Sequence, residues 1–133
     1  MRKLGILLAL MAACGGATEP TIGHEFQLAF GESVTVPEAA VWLHFTGVVA
    51  DSRCPLQTQC VWAGDAAIAL EIASTWQGGD SRTDTLHTNL DPQAAALDGH
   101  ELRLVRVDPY PVTPGTLPPA SYRITLRVDP AVP

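Results

Sequence analysis

Lysine is almost missing from this chain. The only one, Lys3, stands next to Arg2, and across 133 residues eight basic side chains face 14 acidic ones. A protein that grips nucleic acid needs a basic patch, so no nucleic-acid partner is expected. Long apolar runs are missing as well. Leu4 to Leu10 is far shorter than the roughly 20 residues that cross a bilayer as a helix. The chemical signatures of common enzymes are equally sparse. Ser33, Ser52, Ser74, Ser81 and Ser121 lack a G-x-S-x-G setting, and Gly78-Gly79 has neither the Lys nor the helix of a phosphate loop. Carboxylates are scattered, with no aromatic cleft of the glycosidase kind. The four histidines, His24, His44, His87 and His100, show no metal-ligand spacing. No cofactor is expected, and the chain reads as a non-enzyme. A metal-binding protein that brings His44, His87 and an Asp together in space stays as one alternative.

What is present begins with a leader. Met1-Arg2-Lys3 is a positive head, Leu4 to Leu10 an apolar stretch, and Met11-Ala12-Ala13 supplies small residues before Cys14. That order is the pattern of a secretory signal peptide. A Cys at its end resembles a bacterial lipobox, with Met11 where Leu is usual, and predicts cleavage after residue 13 and acylation (palmitate among the chains) at Cys14. Gly15 in place of Asp predicts the outer membrane if the host is Gram-negative. Without residues 1–13, every remaining basic residue is arginine and the net charge falls to −8. Anionic headgroups repel such a surface, so attachment is expected through lipid alone, and stable anchoring takes more than one acyl chain. Residues 14–24 read as a tether rich in Ala, Gly, Thr and Pro.

Three cysteines fit an exported chain. With Cys14 lipidated, Cys54 and Cys60 form an even pair where disulfides persist. Closing their seven-residue loop contributes about 2.4 kcal/mol by chain entropy. A metal-binding pair and a free nucleophile are the rivals.

From Glu25 to Val128 the apolar period is two. Phe26, Leu28 and Phe30 alternate with polar neighbours, as do Val41, Leu43 and Phe45, then Ile68, Leu70 and Ile72, and finally Tyr122, Ile124, Leu126 and Val128. Thr83 to His87 and Leu102 to Val107 are further strands, and the phase change at Leu104-Val105 predicts a bulge. Gln77-Gly78-Gly79-Asp80 is a turn. Pro92 to Leu97 reads as a helix of one or two turns, N-capped by Asp91. Seven or eight short strands separated by Gly and Pro turns predict an all-β chain, a single antiparallel β-sandwich over residues 25–130, with an immunoglobulin-like arrangement as one form. The proline-rich stretch 109–119 is expected to link the last two strands, either as a loop that discourages edge pairing or as a groove-binding peptide.

Two local patterns stand out. One is Asp51-Ser52-Arg53-Cys54-Pro55-Leu56-Gln57-Thr58-Gln59-Cys60-Val61-Trp62-Ala63-Gly64-Asp65; the other is Arg106-Val107-Asp108-Pro109-Tyr110-Pro111. Together they resemble a family of small bacterial envelope lipoproteins. These carry Asp-x-Arg-Cys-Pro, a second Cys, Trp-Ala-Gly, and a Val-x-Pro-Tyr-Pro element. The resemblance implies a compact β domain on a lipid tether and implies no activity. Read as residues, the first pattern is a stapled loop between strands. Arg53 is expected to pair with Asp51 or Asp65, and Trp62 to cover the disulfide or the sandwich end. Arg53, Leu56, Gln57, Thr58, Gln59 and Trp62 form the candidate recognition loop, since a rigid loop binds with little ordering cost. The expected protein is a monomeric, membrane-anchored binding or structural module with an envelope protein partner. A protease inhibitor or ligand binder acting through residues 54–60 is the second alternative.

Overall fold

The computed structural model describes residues 19–76 and 80–132. The leader 1–13, Cys14, the first part of the tether and the Gln77-Gly78-Gly79 turn lie outside them. Eight strands follow one another: β1 Glu25–Ala29, β2 Ser33–Val36, β3 Val41–Asp51, β4 Ala66–Ser74, β5 Ser81–His87, β6 Ala94–Leu97, β7 His100–Asp108 and β8 Arg123–Pro130. They form two antiparallel four-stranded sheets, in the orders β1-β8-β7-β6 and β2-β3-β4-β5. The alternation seen in sequence is the reason. Each strand buries one face, and Phe45, Leu43, Ile68, Leu70, Leu86, Leu102, Ile124 and Leu126 meet in one core between the sheets. No helix among the described residues is long and apolar enough to cross a membrane.

The sandwich is therefore observed, but its order is not the immunoglobulin one. An immunoglobulin sheet interleaves strands from distant parts of the chain. Here sequence neighbours pair within each sheet, β2 to β5 in one and β6 to β8 in the other, and β8 returns to pair with β1, Phe26 opposite Leu126 and Leu28 opposite Ile124. The arrangement is an up-and-down meander folded over on itself. The chain changes sheet at β1–β2 and β5–β6; at the first, Gly31 N–H already bonds Phe45 O of β3 (2.9 Å), and at the second His87 N–H bonds Pro92 O (2.9 Å).

Local details follow the sequence closely. The β7 register shifts between Leu104 and Arg106, at the predicted bulge. Leu102, Leu104 and Val107 all point inward as a result, although their spacing changes from two to three. Same-face neighbours two apart form ion pairs, Glu101–Arg103, Arg106–Asp108 and Arg127–Asp129. Exposed pairs of this kind contribute at most about 1 kcal/mol each.

Two expectations are corrected. Residues 94–97 are a strand, not a helix. Ala94 to Leu97 pair with Arg103 to His100, and Ala95 is buried. Three alanines favour a helix only weakly, and pairing with β7 outweighs that preference. The second concerns the tether. Pro20 is buried, Ile22 packs against the core, and Gly23 N–H donates to Val128 O at 2.8 Å. Residues 20–24 are docked on the sandwich because an apolar Ile and an edge carbonyl are available to them.

The strand directions sort the loops into two ends. The segments 19–24, 37–40, 98–99 and 131–132 lie at one; the loops 52–65, 88–93 and 109–122 lie at the other. Along the 11 residues of β3 the ends are about 35 Å apart.

Phe45→Ala is expected to lower the unfolding free energy by about 3–5 kcal/mol, while Val49→Ala, on the exposed stretch of the same strand, changes it by less than about 0.5 kcal/mol. Chemical denaturation followed by circular dichroism checks both.

Candidate functional site

The two sequence patterns, more than 40 residues apart, meet at the far end of the sandwich. Arg53 joins them. Its side chain is only 4% exposed and that of Asp51 13%. Arg53 Nε donates to Asp51 Oδ1 (2.8 Å) and Nη2 to Oδ2 (2.7 Å), a bidentate fork of the strongest kind a guanidinium makes. Nη1 donates to Val107 O (2.6 Å) and Nη2 also to Pro109 O (3.0 Å), while the guanidinium lies 5.1 Å from the centre of the Tyr110 ring. The hydroxyl of Tyr122 donates to Asp51 Oδ2 at 2.9 Å. One arginine thus closes the end of β3, the end of β7 and the start of β8 onto each other.

These contacts set the titration of the group. Burial pulls the Asp51 carboxyl upward, but the hydrogen bonds from Arg53 and Tyr122 and the charge of Arg53 outweigh it. The carboxyl ends below its ordinary value of 3.8. Burial, then the Asp51 contact, pushes the Tyr122 hydroxyl up from 10.0 to about 12.

Beyond Arg53 the chain enters the staple. Cys54 and Cys60 are disulfide-bonded, with Cα atoms 5.9 Å apart. The loop does not stand free. Leu56 N–H donates to Pro111 O (3.0 Å) and Gln57 N–H to Val112 O (2.9 Å). Residues 109–112 are a strap under the loop, and Pro111 is buried. Further on, Leu117 packs against the core. The stretch 109–119 thus links β7 to β8, as expected, with Pro111 buried and Tyr110 and Val112 left exposed.

Trp-Ala-Gly-Asp closes the loop on the other side. Gly64 has φ of +72°, and a Cβ there would lie 1.8 Å from Ser52 O; only glycine allows the two backbones so close. Cys54 N–H donates to Ala63 O (2.8 Å) and Ser52 N–H to Asp65 O (2.7 Å). Asp65 pairs not with Arg53 but with the 88–90 turn. Its Oδ1 accepts from the backbone N–H of Asn89 (2.8 Å) and Leu90 (3.2 Å), and Oδ2 lies 2.6 Å from His87 Nδ1. Burial raises this carboxyl, but those hydrogen bonds outweigh it and leave it below the usual aspartate value.

The candidate residues now separate by role. Arg53 is a buried brace. Leu56, Gln57, Thr58 and Gln59 are exposed, Leu56 at 71%. Trp62 is corrected: at 80% exposure it covers neither the disulfide nor the sandwich end. Its neighbour Val61 is exposed as well, while Gly64, two residues after Trp62, lies against Ser52. Trp62 and Leu90 both line a recess of about 400 Å3, together with Ala63, Gly64 and Asp65. Sequence reasoning missed the exposed Val61, Leu90, Tyr110 and Val112 at this end, and the part played by Tyr122. A tyrosine on an inward-facing strand position was the available signal, since a buried hydroxyl needs a partner. His44 and His87 do not converge. They flank β4 at Glu71 and Ala67, four residues or about 13 Å apart along the strand, and no three His, Cys, Asp or Glu among the described residues gather as a metal site.

Removing one partner of a buried ion pair strands the other charge. Arg53→Met and Asp51→Asn are each expected to cost about 3–5 kcal/mol, and the double variant less than the sum; equilibrium denaturation of the four proteins checks this. Both lowered carboxylates stabilise the fold above the unfolded aspartate value of 3.8. That stability is lost as pH falls through their folded-state values, so the protein weakens progressively below about pH 4. Tyr122 has the opposite sign. Its contribution is complete below 10.0 and disappears as pH rises through about 12, and Tyr122→Phe is expected to remove the late phase of an ultraviolet tyrosinate titration.

Neither a protein-family model, nor a curated protein, nor a solved structure matches this chain, so the geometry of the stapled end carries the functional reading.

Proposed function

We propose that this chain is a lipid-anchored protein of the bacterial envelope, a binding module whose stapled end docks an envelope protein. The observation that carries the reading is the pairing of rigid backbone with exposed apolar side chains. Val61 is 96% exposed and stands beside Trp62, on a loop held by a disulfide, by two backbone hydrogen bonds to the strap and by the Arg53 fork. Exposed apolar groups concentrated at one end mark an interaction surface. Tryptophan and tyrosine there are the residue types that dominate binding energy. Because the loop is ordered beforehand, little entropy is lost on docking. The Leu56 and Gln57 N–H groups are occupied by the strap, so a partner reads side chains and does not add a strand along them.

The anchor fits this orientation. The chain enters the sandwich at the end opposite the staple, with Pro20 already docked. From a lipidated Cys14 to Pro20, six residues span at most about 20 Å. The apex would then point away from the membrane, at about the length of β3 beyond that. A surface charge of −8 after loss of the leader leaves attachment to the acyl chains and keeps the body off anionic headgroups.

Two measurements test the reading. The intact mass of protein extracted from membranes without reductant is expected to equal residues 14–133 plus acyl groups, less two hydrogens; an unlipidated mass contradicts the anchor. In envelopes treated with a crosslinker, the chain is expected to give a discrete adduct. Leu56→Ala with Gln57→Ala, and separately Trp62→Ala, should abolish it without moving the melting temperature. An adduct that survives both variants contradicts docking through the staple.

A further inference from the structure

Each sheet ends in two edge strands, and most of their outward backbone is short or covered. β1 turns Glu25 and Gln27 outward, because Phe30 N–H donates to Tyr122 O in register with β8. Beyond them, Ala29 N–H is taken by Glu32 Oε2 at 2.8 Å. β2 and β6 have four residues each, and Ala96 O of β6 accepts from Arg82 Nη2. β5 differs. It runs for seven residues, Ser81–His87, without proline or lysine, and it pairs with β4 without a register shift. Thr88 N–H donates to Ala66 O, while His87 N–H turns away to Pro92 O. Antiparallel alternation therefore points the N–H and C=O groups of Ser81, Thr83 and Thr85 out of the sheet. All three side chains are exposed, and no turn or side chain among the described residues caps those backbone groups.

An uncovered run of edge backbone is a template for another strand. The sequence of β5 fits one such strand well, namely itself. In an antiparallel pair centred on Thr83, Thr83 meets Thr83 of the second copy, Ser81 meets its Thr85, and Arg82 meets its Asp84. Positions 81, 83 and 85 then exchange the backbone bonds that each copy leaves open. Hydroxyl pairs and opposite charges are cross-strand combinations that favour a sheet. Arg82 and Asp84 fall at the sites without backbone bonds, where facing side chains come closest. A pair centred on Asp84 would instead set carboxylate against carboxylate. Within one copy, Arg82 Nε donates to Asp84 Oδ2 at 3.1 Å, an exposed contact that is worth little and readily exchanged.

We propose that β5 is a self-association edge: two copies of this chain pair antiparallel through residues 81–85 and join two four-stranded sheets into one. The occupant is a second copy because the charge order of β5 is complementary to itself. Ser81 marks the entry end of β5, so both entry ends lie close to the two-fold axis and both tethers reach one membrane surface. The pair lies along that surface, where a single copy stands upright. The staples, beyond His87, lie at its two far ends and stay open, so the proposal does not rest on docking there. Acidic bodies repel each other at a distance, which salt screens. The association is therefore weak, and a dilute chain stays the monomer its sequence suggests.

Cysteine crosslinking of the full chain in isolated envelopes, with copper phenanthroline as oxidant, tests the pairing. Facing Cα atoms at a bonded site lie about 5.5 Å apart, within reach of a disulfide, and Cys54 and Cys60 are already bonded to each other. Thr83→Cys is expected to give a dimer of doubled mass, at least about tenfold more than Thr35→Cys on the β2 edge. Ser81→Cys and Thr85→Cys are each expected to stay single alone and to crosslink when expressed together. Asp84→Arg sets arginine against arginine and should weaken Thr83→Cys crosslinking about tenfold; adding Arg82→Asp should restore it. Ser81, Arg82, Thr83, Thr85 and Thr35 are exposed, so the sandwich is left intact, and an unchanged melting temperature checks that. Equal yields at Thr83 and Thr35, self-crosslinking of Ser81→Cys or Thr85→Cys, or a charge exchange that fails to restore the dimer would each overturn the proposal.

Discussion

The bidentate contact between Arg53 and Asp51 is the constraint on which the functional end of the molecule depends. Sheets of this kind need nothing special to form: alternating apolar residues and short turns are enough. The loops at the end of a sandwich are different. They carry unpaired backbone groups and little apolar surface, and must be held by specific contacts. Arg53 does this by spending its donors on one carboxylate and two carbonyls from different segments. Asp51 is occupied in turn by Tyr122. A buried pair of this kind is costly to desolvate and adds little net stability over an apolar substitute, so its worth here lies in fixing one arrangement of three loops.

Much of the sandwich was legible in the sequence because period-two burial is a local signal. β8 is the clearest case, with Ile124, Leu126 and Val128 buried where alternation put them. The β7 bulge was legible as well, since an extra residue in the alternation has no other explanation in a strand. The short strand β6 was not. Ala-Ala-Ala-Leu after Asp-Pro has the form of a helix start, and the signal that decides otherwise is Asp98-Gly99, a two-residue hairpin turn that pairs β6 with β7. The meander order was equally hidden, because alternation states which face is buried and not which strand lies beside which.

At the stapled end, sequence reasoning located the residues and misread part of their roles. The Arg53–Asp51 pair was foreseen as one of two options, and the disulfide followed from cysteine arithmetic. Trp62, expected to cover the disulfide or the sandwich end, stands exposed instead. The close approach of Gly64 to Ser52 is a contact between backbones that no composition rule reveals. The stretch 109–119 links the last two strands as its prolines suggest, but alternation and composition do not reveal that Leu56 and Gln57 bond to it. Charge completes the picture. Arg103, Arg106, Arg123 and Arg127 all lie on β7 and β8, so one sheet carries four of the six arginines of residues 14–133.

Loop 54–60 and strap 109–112 form one rigid apex, and amide hydrogen exchange of the native protein tests this most directly. Cys54, Leu56 and Gln57 are expected to exchange almost as slowly as amides of the β7–β8 ladder, and Arg53→Met to release them while the ladder stays protected. Exchange of Leu56 and Gln57 at unstructured rates in the unaltered protein would contradict it.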